Sequence, residues 1–410
     1  MNTLVKPLQH NKLKGFACSC RELKLLVGRM RPMNGSSRAP RGLGQTLRVF
    51  ILVGMSLVLA QMACADADFI VGDLVNTETV QGPGVQVYFT APDDSAGMVP
   101  RQKSLPSGFL LAVDQAESTI DIAAYDLDLE TIAEQLMAAE KRGVRVRLVT
   151  ESDHVADNRD LLIDLQQAGI PVIQDERESG LMHNKFAVID GEHVWSGSWN
   201  MTHSGSYRND NNAVRITSPG LAKNYTAEFE EMVSGRFGPD SPANTPNPRL
   251  SIAVKSGGQQ RRRIEIENYF APEDGVEDEI IAEIESAQKR IRFLAFVFTS
   301  DEIAAAMLRR AEAGVVVQGV MESRNVNGQY DEYRRLRSSV HDVLADGNPY
   351  MMHHKVIILD DETVILGSYN FSRSADTTND ENLLIIHDPI LAGAFVEEFG
   401  RVYENARRAE

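Results

Sequence analysis

Residues 183–200 read HNKFAVIDGEHVWSGSWN, and residues 353–370 read HHKVIILDDETVILGSYN. Both segments open on His-x-Lys (His183 and Lys185; His353 and Lys355). Both place an aspartate after an apolar run (Asp190, Asp360) and close on Gly-Ser-x-Asn (Gly197, Ser198 and Asn200; Gly367, Ser368 and Asn370). Phe186 to Ile189 and Val356 to Leu359 are apolar runs of the kind that form buried strands. Successive strand side chains alternate between faces, so His183 and Lys185 point one way and Asn184 the other. The same holds for His353, Lys355 and His354. A second short strand, His193 to Ser196 or Thr363 to Leu366, delivers the Gly-Ser-x-Asn turn. There glycine permits close backbone approach, and Ser and Asn supply hydrogen-bond donors.

The likeness extends outward. Residues 117–152 and 288–323 share a pattern of strand, helix and strand at a constant offset of 171 residues. Gly143 and Gly314 stand where a helix is expected to stop. The match resumes at an offset of 170, aligning residues 181–215 with 351–385. Each copy closes on an amphipathic helix marked by Leu221, Tyr225 and Phe229 or Leu391, Phe395 and Phe399. A duplicated α/β chain follows, with helices covering sheets. The expected partition is an extension and leader over 1–65, a first repeat over 66–237, a linker over 238–263 and a second repeat over 264–410. The linker reading rests on the Pro-, Asn- and Ser-rich run from Gly238 to Pro248. Arg261, Arg262 and Arg263 read as a solvated turn.

Each copy offers one His, one Lys and one Asn that converge. Two lysines and two asparagines suit an oxyanion of delocalised charge, and a phosphoryl group is the natural guest. Two histidines supply a nucleophile and a general acid. Lysine is a poor metal ligand, and no carboxylate or cysteine set accompanies the histidines, so no metal and no cofactor is expected. Ser198 and Ser368 are candidates either for phosphate binding or for supporting the turn. Asp190 and Asp360 read as supporting groups at strand ends. Glu151 and Glu322, at matching strand ends, are open between lining the site and holding structure. Trp195, Trp199 and Tyr207 cluster near the first motif, with packing the default for Trp195.

These residues resemble the HxKxxxxD…GSxN motifs of the phospholipase D superfamily, and both copies are complete. The resemblance spans roughly residues 85–405. It implies two α/β/α sandwich halves with mixed sheets, related by a pseudo-twofold axis, with one active site at their junction. It also implies metal-independent phosphodiester cleavage through a phosphohistidine. It further places a glutamate, here Glu381, beside the motif histidine of the second copy. Asn211 takes that position in the first. On that reading Glu381 raises the basicity of His353, and Asn211 only orients His183. His183 is then the nucleophile and His353 the general acid.

The whole chain has 410 residues and a formal net charge of −16. The first 65 residues carry +9, leaving −25 on the remainder. So acidic a body is a poor general binder of duplex nucleic acid, although a local basic groove is compatible with it. The three cysteines, Cys18, Cys20 and Cys64, all precede residue 66, so the body forms neither a disulfide nor a thiolate site. Val49 to Ala60 is a short apolar run after Arg38, Arg41 and Arg48, followed by Ala63-Cys64-Ala65. Together they read as a secretory signal with Met33 as its start, and lipidation at Cys64 as the lesser alternative.

The leading functional reading is a secreted or periplasmic phospholipase D with a phospholipid substrate and peripheral membrane contact. The alternative is an exported, metal-independent nuclease of the same superfamily, with nucleic acid as substrate. Both half-sites lie in one chain, so a monomer suffices. The loops over 153–182 and 324–350, where the repeats diverge, are expected to choose the substrate. Arg334, Arg335 and Arg337 in the second loop read as a solvated helix face.

Overall fold

The computed structural model describes residues 76–81, 84–90, 92, 104–255 and 262–410. The leader, its cleavage site and Cys64 lie outside the described residues. The first half contributes β1 (Asn76–Gln81), β2 (Val85–Phe89), β3 (Thr119–Ala124), β4 (Arg145–Glu151), β5 (Val172–Asp175), β6 (Lys185–Ile189), β7 (His193–Gly197) and β8 (Asn212–Thr217). Its helices are α1 (Leu105–Gln115), α2 (Glu130–Arg142), α3 (Arg159–Gln167), α4 (His203–Tyr207) and α5 (Pro219–Val233). The second half contributes β9 (Arg249–Lys255), β10 (Arg262–Ala271), β11 (Arg290–Ala295), β12 (Val316–Met321), β13 (Val343–Ala345), β14 (Lys355–Leu359), β15 (Thr363–Gly367) and β16 (Glu381–His387). Its helices are α6 (Val276–Ser286), α7 (Asp301–Glu312), α8 (Tyr333–Val340), α9 (Arg373–Thr377) and α10 (Pro389–Ala409).

The repeat emerges as two mixed sheets. One runs β2-β8-β7-β6-β3-β4-β5, and the other runs β1-β9-β10-β16-β15-β14-β11-β12-β13. From β2 and from β10 onward the two orders correspond strand for strand. The motif strands β6 and β14 lie inside their sheets, each antiparallel to both neighbours.

Strand alternation explains the layers. Phe186 and Val188 on β6, like Val356 and Ile358 on β14, enter a central core shared by both halves. Ala187 and Ile189 face a separate outer core of the first half, and Ile357 and Leu359 face that of the second. The central core is filled by α5, through Leu221, Tyr225 and Phe229, and by α10, through Leu391, Phe395 and Phe399. Helix α10 contacts β15 of its own sheet and β2 of the other, while α5 contacts β7 and β10. Two α/β/α sandwiches thus share their inner helical layer. Each fully buried large apolar side chain there contributes about 1.5–3 kcal/mol of transfer free energy.

The partition differs from expectation in two places. Residues 249–255, inside the stretch read as linker, form β9, and β10 begins at Arg262. Leu250, Ile252 and Val254 alternate into the central core, a period-2 signal hidden beside the Pro- and Asn-rich run. Arg262 is not in a solvated turn but on β10, 3.1 Å from Asp388. Strand β1, assigned by sequence to the first repeat, instead pairs in parallel with β9, in register from Asn76 opposite Leu250 to Gln81 opposite Lys255.

Candidate active site

The motif histidines stand just ahead of β6 and β14, which begin at Lys185 and Lys355. Glu151, at the end of β4, accepts a hydrogen bond from the Met182 amide at 2.7 Å. Glu322 does the same for Met352, also at 2.7 Å. These two buried carboxylates hold the backbone just ahead of each histidine, which settles their role as structural.

Each histidine is also tied to the opposite half. The His183 amide donates to the Asp380 carbonyl at 3.0 Å, and the His353 amide donates to the Asp210 carbonyl at 2.9 Å. The residues after those aspartates then complete the exchange. Nδ1 of His183 lies 2.7 Å from Oε2 of Glu381. Nδ1 of His353 lies 2.9 Å from Oδ1 of Asn211 and 3.1 Å from the Ser198 carbonyl. This corrects the sequence-based pairing. Glu381 serves His183, not His353, and Asn211 serves His353, not His183. The expectation failed because it paired groups within one repeat, whereas the strand ends of β8 and β16 project across the pseudo-twofold axis.

Ser198 and Ser368 lie behind the histidines. The Ser198 hydroxyl donates to Asn211 Oδ1 at 3.0 Å, and the Ser368 hydroxyl donates to Glu381 Oε2 at 2.6 Å. Both are fully buried. Of the two roles open to them from the sequence, phosphate binding does not match the geometry: their protons are committed to orienting the groups that hold the histidines. Gly197 and Gly367 make room for this arrangement. A Cβ at either would stand 2.4 Å from the Asn212 carbonyl oxygen or 2.1 Å from that of Asn382.

Lys185 and Lys355 are buried, and each folds back on its own histidine's carbonyl, at 2.7 and 3.1 Å. Nζ of Lys355 also stands 3.3 Å from Nε2 of His353. Each ammonium lies over an aromatic ring, Lys185 over Tyr125 at 4.6 Å and Lys355 over Phe296 at 4.8 Å. The same rings pack against the histidines, Tyr125 on His183 at 4.7 Å and Phe296 on His353 at 4.5 Å. Asn200 and Asn370 are half-buried, and the Oδ1 of each has no hydrogen-bond partner. The fold does not use these amide oxygens.

Asp190 and Asp360 lie elsewhere. Asp190 accepts from the amides of Glu117, Ser118 and Thr119, and Asp360 from those of Gln288, Lys289 and Arg290. They clamp the entry to β3 and β11 and touch no site histidine.

Burial dominates the electrostatics. It holds His183 and His353 well below the usual imidazole range, reinforced by the two lysines. It lowers Lys185 to about 7 and Lys355 well below its usual value. It pushes Glu381 up to about 8, against the pull of Lys185. The empty site thus resists charge on every group, and an entering anion supplies what the lysines lack.

Sequence reasoning passed over several residues. Tyr125 and Phe296 sit at matching repeat positions, a signal that self-comparison carried. Asn184 and His354, expected only to face away, form a polar seam through the central core. Asn382 donates to Asn184 at 2.8 Å, and Asn212 and His354 meet at 2.8 Å. His154, which packs on Tyr125 at 4.6 Å, breaks the repeat, since Asn325 takes its place.

A duplicated sandwich that brings two His-Lys pairs together, each oriented by the other half, defines a phosphodiesterase of the two-histidine class. The family model described as cardiolipin synthase, PLD-like domain, matches residues 110–233 and again 280–403. The chain belongs to this phospholipase D-like family of phosphodiesterase hydrolases. A mitochondrial cardiolipin hydrolase of Xenopus tropicalis is 32% identical over 134 residues, 33% of this chain and 63% of that protein. A phospholipase D of Rickettsia bellii is 29% identical over 157 residues, 38% of this chain and 77% of that protein. The match thus spans a little under two thirds of the first relative's length. A phosphatidylserine synthase of Haemophilus influenzae shares the fold over 78% of this chain and 86% of its own, with a TM-score of 0.57 and 14% identity.

Proposed function

We propose that this protein hydrolyses a phospholipid as a phospholipase D, releasing phosphatidate and a free alcohol through a phosphohistidine on His183. The observation that carries the choice of nucleophile is the 2.7 Å contact between His183 Nδ1 and Glu381. The carboxylate fixes the proton on Nδ1, leaves the Nε2 lone pair for attack, and stabilises the ring as it becomes cationic.

The chemistry then runs in two displacements. Nε2 of His183 forms a bond to phosphorus as the bond from phosphorus to the alcohol oxygen breaks. The bound phosphodiester anion offsets the burial that disfavours charge on His353, and the ring, then protonated on Nε2, gives that proton to the departing oxygen. Neutral His353 next takes a proton from water as the water oxygen attacks phosphorus and the bond from phosphorus to His183 breaks. Lys185, Lys355, Asn200 and Asn370 hold the non-bridging oxygens, whose charge grows in both transition states. Asn211 orients His353 without a counter-charge, so its proton is easily given up.

The leader supports delivery outside the cytoplasm. Among the described residues no helix is long and apolar enough to cross a membrane. On this reading contact with lipid is peripheral, and both half-sites lie in one chain.

The test is a substrate panel in EDTA with His183→Ala as control. Phosphatidylcholine and phosphatidylethanolamine liposomes are offered beside single-stranded DNA. Head-group release lost in the variant supports the reading. DNA cleavage without lipid turnover replaces it with the nuclease of the same superfamily.

A further inference from the structure

The repeat breaks at one buried position on the side of the motif strands away from the catalytic histidines. In the second half, Nε2 of His354 lies 3.1 Å from Glu398 on α10. Arg401, one turn further on, donates to both oxygens of Glu398, at 2.7 and 3.0 Å, and also meets Asp210. One guanidinium thus neutralises two buried carboxylates. An offset of 170 carries His354 to Asn184, Glu398 to Glu228 and Arg401 to Glu231. Asn184 donates to Glu228 at 3.0 Å, as His354 engages Glu398. The place of the cation, however, is taken by a carboxylate.

A third carboxylate joins them. Phe270 pairs with Asn382 as Phe89 pairs with Asn212, so Glu273, three residues past Phe270, corresponds to Pro92. Glu228 and Glu231 on α5, and Glu273 between β10 and α6, each bring an oxygen within 4.8 Å of the other two. Glu228 is 4% exposed and Glu231 is 3% exposed. Burial pushes the Glu228 carboxyl well above its usual range and Glu273 up to about 8, and neighbouring carboxylates add to both. Exposed Arg236 draws on Glu231 from the surface. The nearby Asp380 is committed to Arg177 and the Gly238 amide, and Asp274 to Thr245 and the Phe270 amide.

Two oxygens decide between a shared proton and a metal ion. Glu231 Oε2 and Glu273 Oε2 are buried and have no hydrogen-bond partner among the described residues. Asn244 donates to the other oxygen of Glu231 at 3.1 Å, which fixes the carboxylate and leaves Oε2 free. A proton shared by Glu228 and Glu273 leaves Glu231 Oε2 unsatisfied, which is unfavourable in a buried site. We infer that Glu228, Glu231 and Glu273 hold a calcium ion, which supplies in the first half the positive charge that Arg401 supplies in the second. Calcium takes carboxylate oxygens at about 2.3–2.6 Å, so it spans oxygens up to about 4.8 Å apart. Magnesium, at about 2.0–2.1 Å, requires a tighter and more hydrated cage. The ion joins α5 to the turn after β10 and keeps Glu228 charged where Asn184 meets it. It holds structure and takes no part in the cleavage, so this inference stands apart from the reading above.

The experiment counts calcium on the full chain and follows its thermal unfolding. After dialysis against micromolar calcium, atomic absorption should find one ion per chain that Glu231→Gln loses. At a calcium concentration about a hundredfold above the dissociation constant, the unfolding midpoint should stand about 5 °C above that in EDTA. Glu231→Gln should lose most of that shift. Glu231→Arg, which copies the second half, should lose all of it yet unfold in EDTA no lower than the unaltered protein, because a guanidinium replaces the ion. If Glu231→Arg does not fold, Glu231→Gln decides alone. No retained ion, with equal midpoints in calcium and EDTA, overturns the proposal, since the three carboxyls then share protons instead. A shift that magnesium matches and Glu231→Gln leaves intact reflects screening of the acidic surface and overturns it equally.

Discussion

Glu381 lies on the second half's β16, yet its carboxylate is 2.7 Å from the Nδ1 of His183 in the first half. Asn211 returns the exchange at His353. Neither half holds a complete catalytic histidine. The carboxyl group goes to one ring and the amide to the other, so the two rings have different partners although their motifs are the same. Glu381→Gln keeps an acceptor for Nδ1 but removes the charge that stabilises the phosphohistidine. Its formation, followed by rapid quench, should slow by about 10²–10⁴-fold. A loss of less than threefold would mean the charge is not used.

Trapping separates the two histidines directly. With a substrate whose leaving group needs no proton, His353→Ala should accumulate phosphoenzyme, because attack proceeds and hydrolysis stalls. His183→Ala should accumulate none. The reverse pattern, read by acid-labile phosphate on the protein, would exchange the two roles.

Anion binding should be linked to proton uptake. Burial lowers Lys185 to about 7, so near neutral pH it is partly unprotonated in the empty site. A bound oxyanion favours the charged form and raises that value. Tungstate should therefore bind with uptake of protons, and its affinity should fall as pH rises through about 7. Calorimetry in two buffers of different ionisation enthalpy measures this. Equal heats in both buffers would mean the lysines stay charged throughout.

Asp190 and Asp360 should matter to stability and not to chemistry. Backbone amides at the entry to β3 and β11 hold both carboxylates below their usual range. Asp190→Asn keeps a residue tolerant of its φ of 57° and removes the charge. It should cost about 1 kcal/mol at neutral pH. A carboxylate whose folded pKa is depressed contributes above its unfolded value. The wild-type advantage should therefore fade as pH falls through the folded value. Urea unfolding at neutral and acid pH checks this, and a change in kcat would place Asp190 nearer the chemistry.

Much of this was legible in the sequence, because the chain states its plan twice. Local period and fixed spacing were enough to place Lys185 and Lys355 on matching strands, with His183 and His353 just ahead of them and Asn200 and Asn370 just past the strands that follow. Leu250-x-Ile252-x-Val254 was placed in the linker, and its strand period was missed, because the Pro- and Asn-rich run beside it dominated the composition. The Glu381 pairing failed for a different reason. Offsets show which residues are equivalent, but not that equivalent groups change sides across a pseudo-twofold axis. Ser198 and Ser368 could not be assigned from spacing alone, since a hydroxyl facing phosphate and one facing a carboxylate occupy the same position in a motif.

Strand β1 has a consequence for the history of the duplication. A freshly doubled gene gives two modules that can be cut apart and re-paired. Here a strand from the start of the described chain lies along β9, on the far edge of the other module's sheet. Cutting between the repeats would leave the second fragment with β9 as a bare edge, ready to pair with any passing strand. The first fragment would carry the missing strand with nothing to bind. What began as two copies has become a chain that can no longer be returned to a pair.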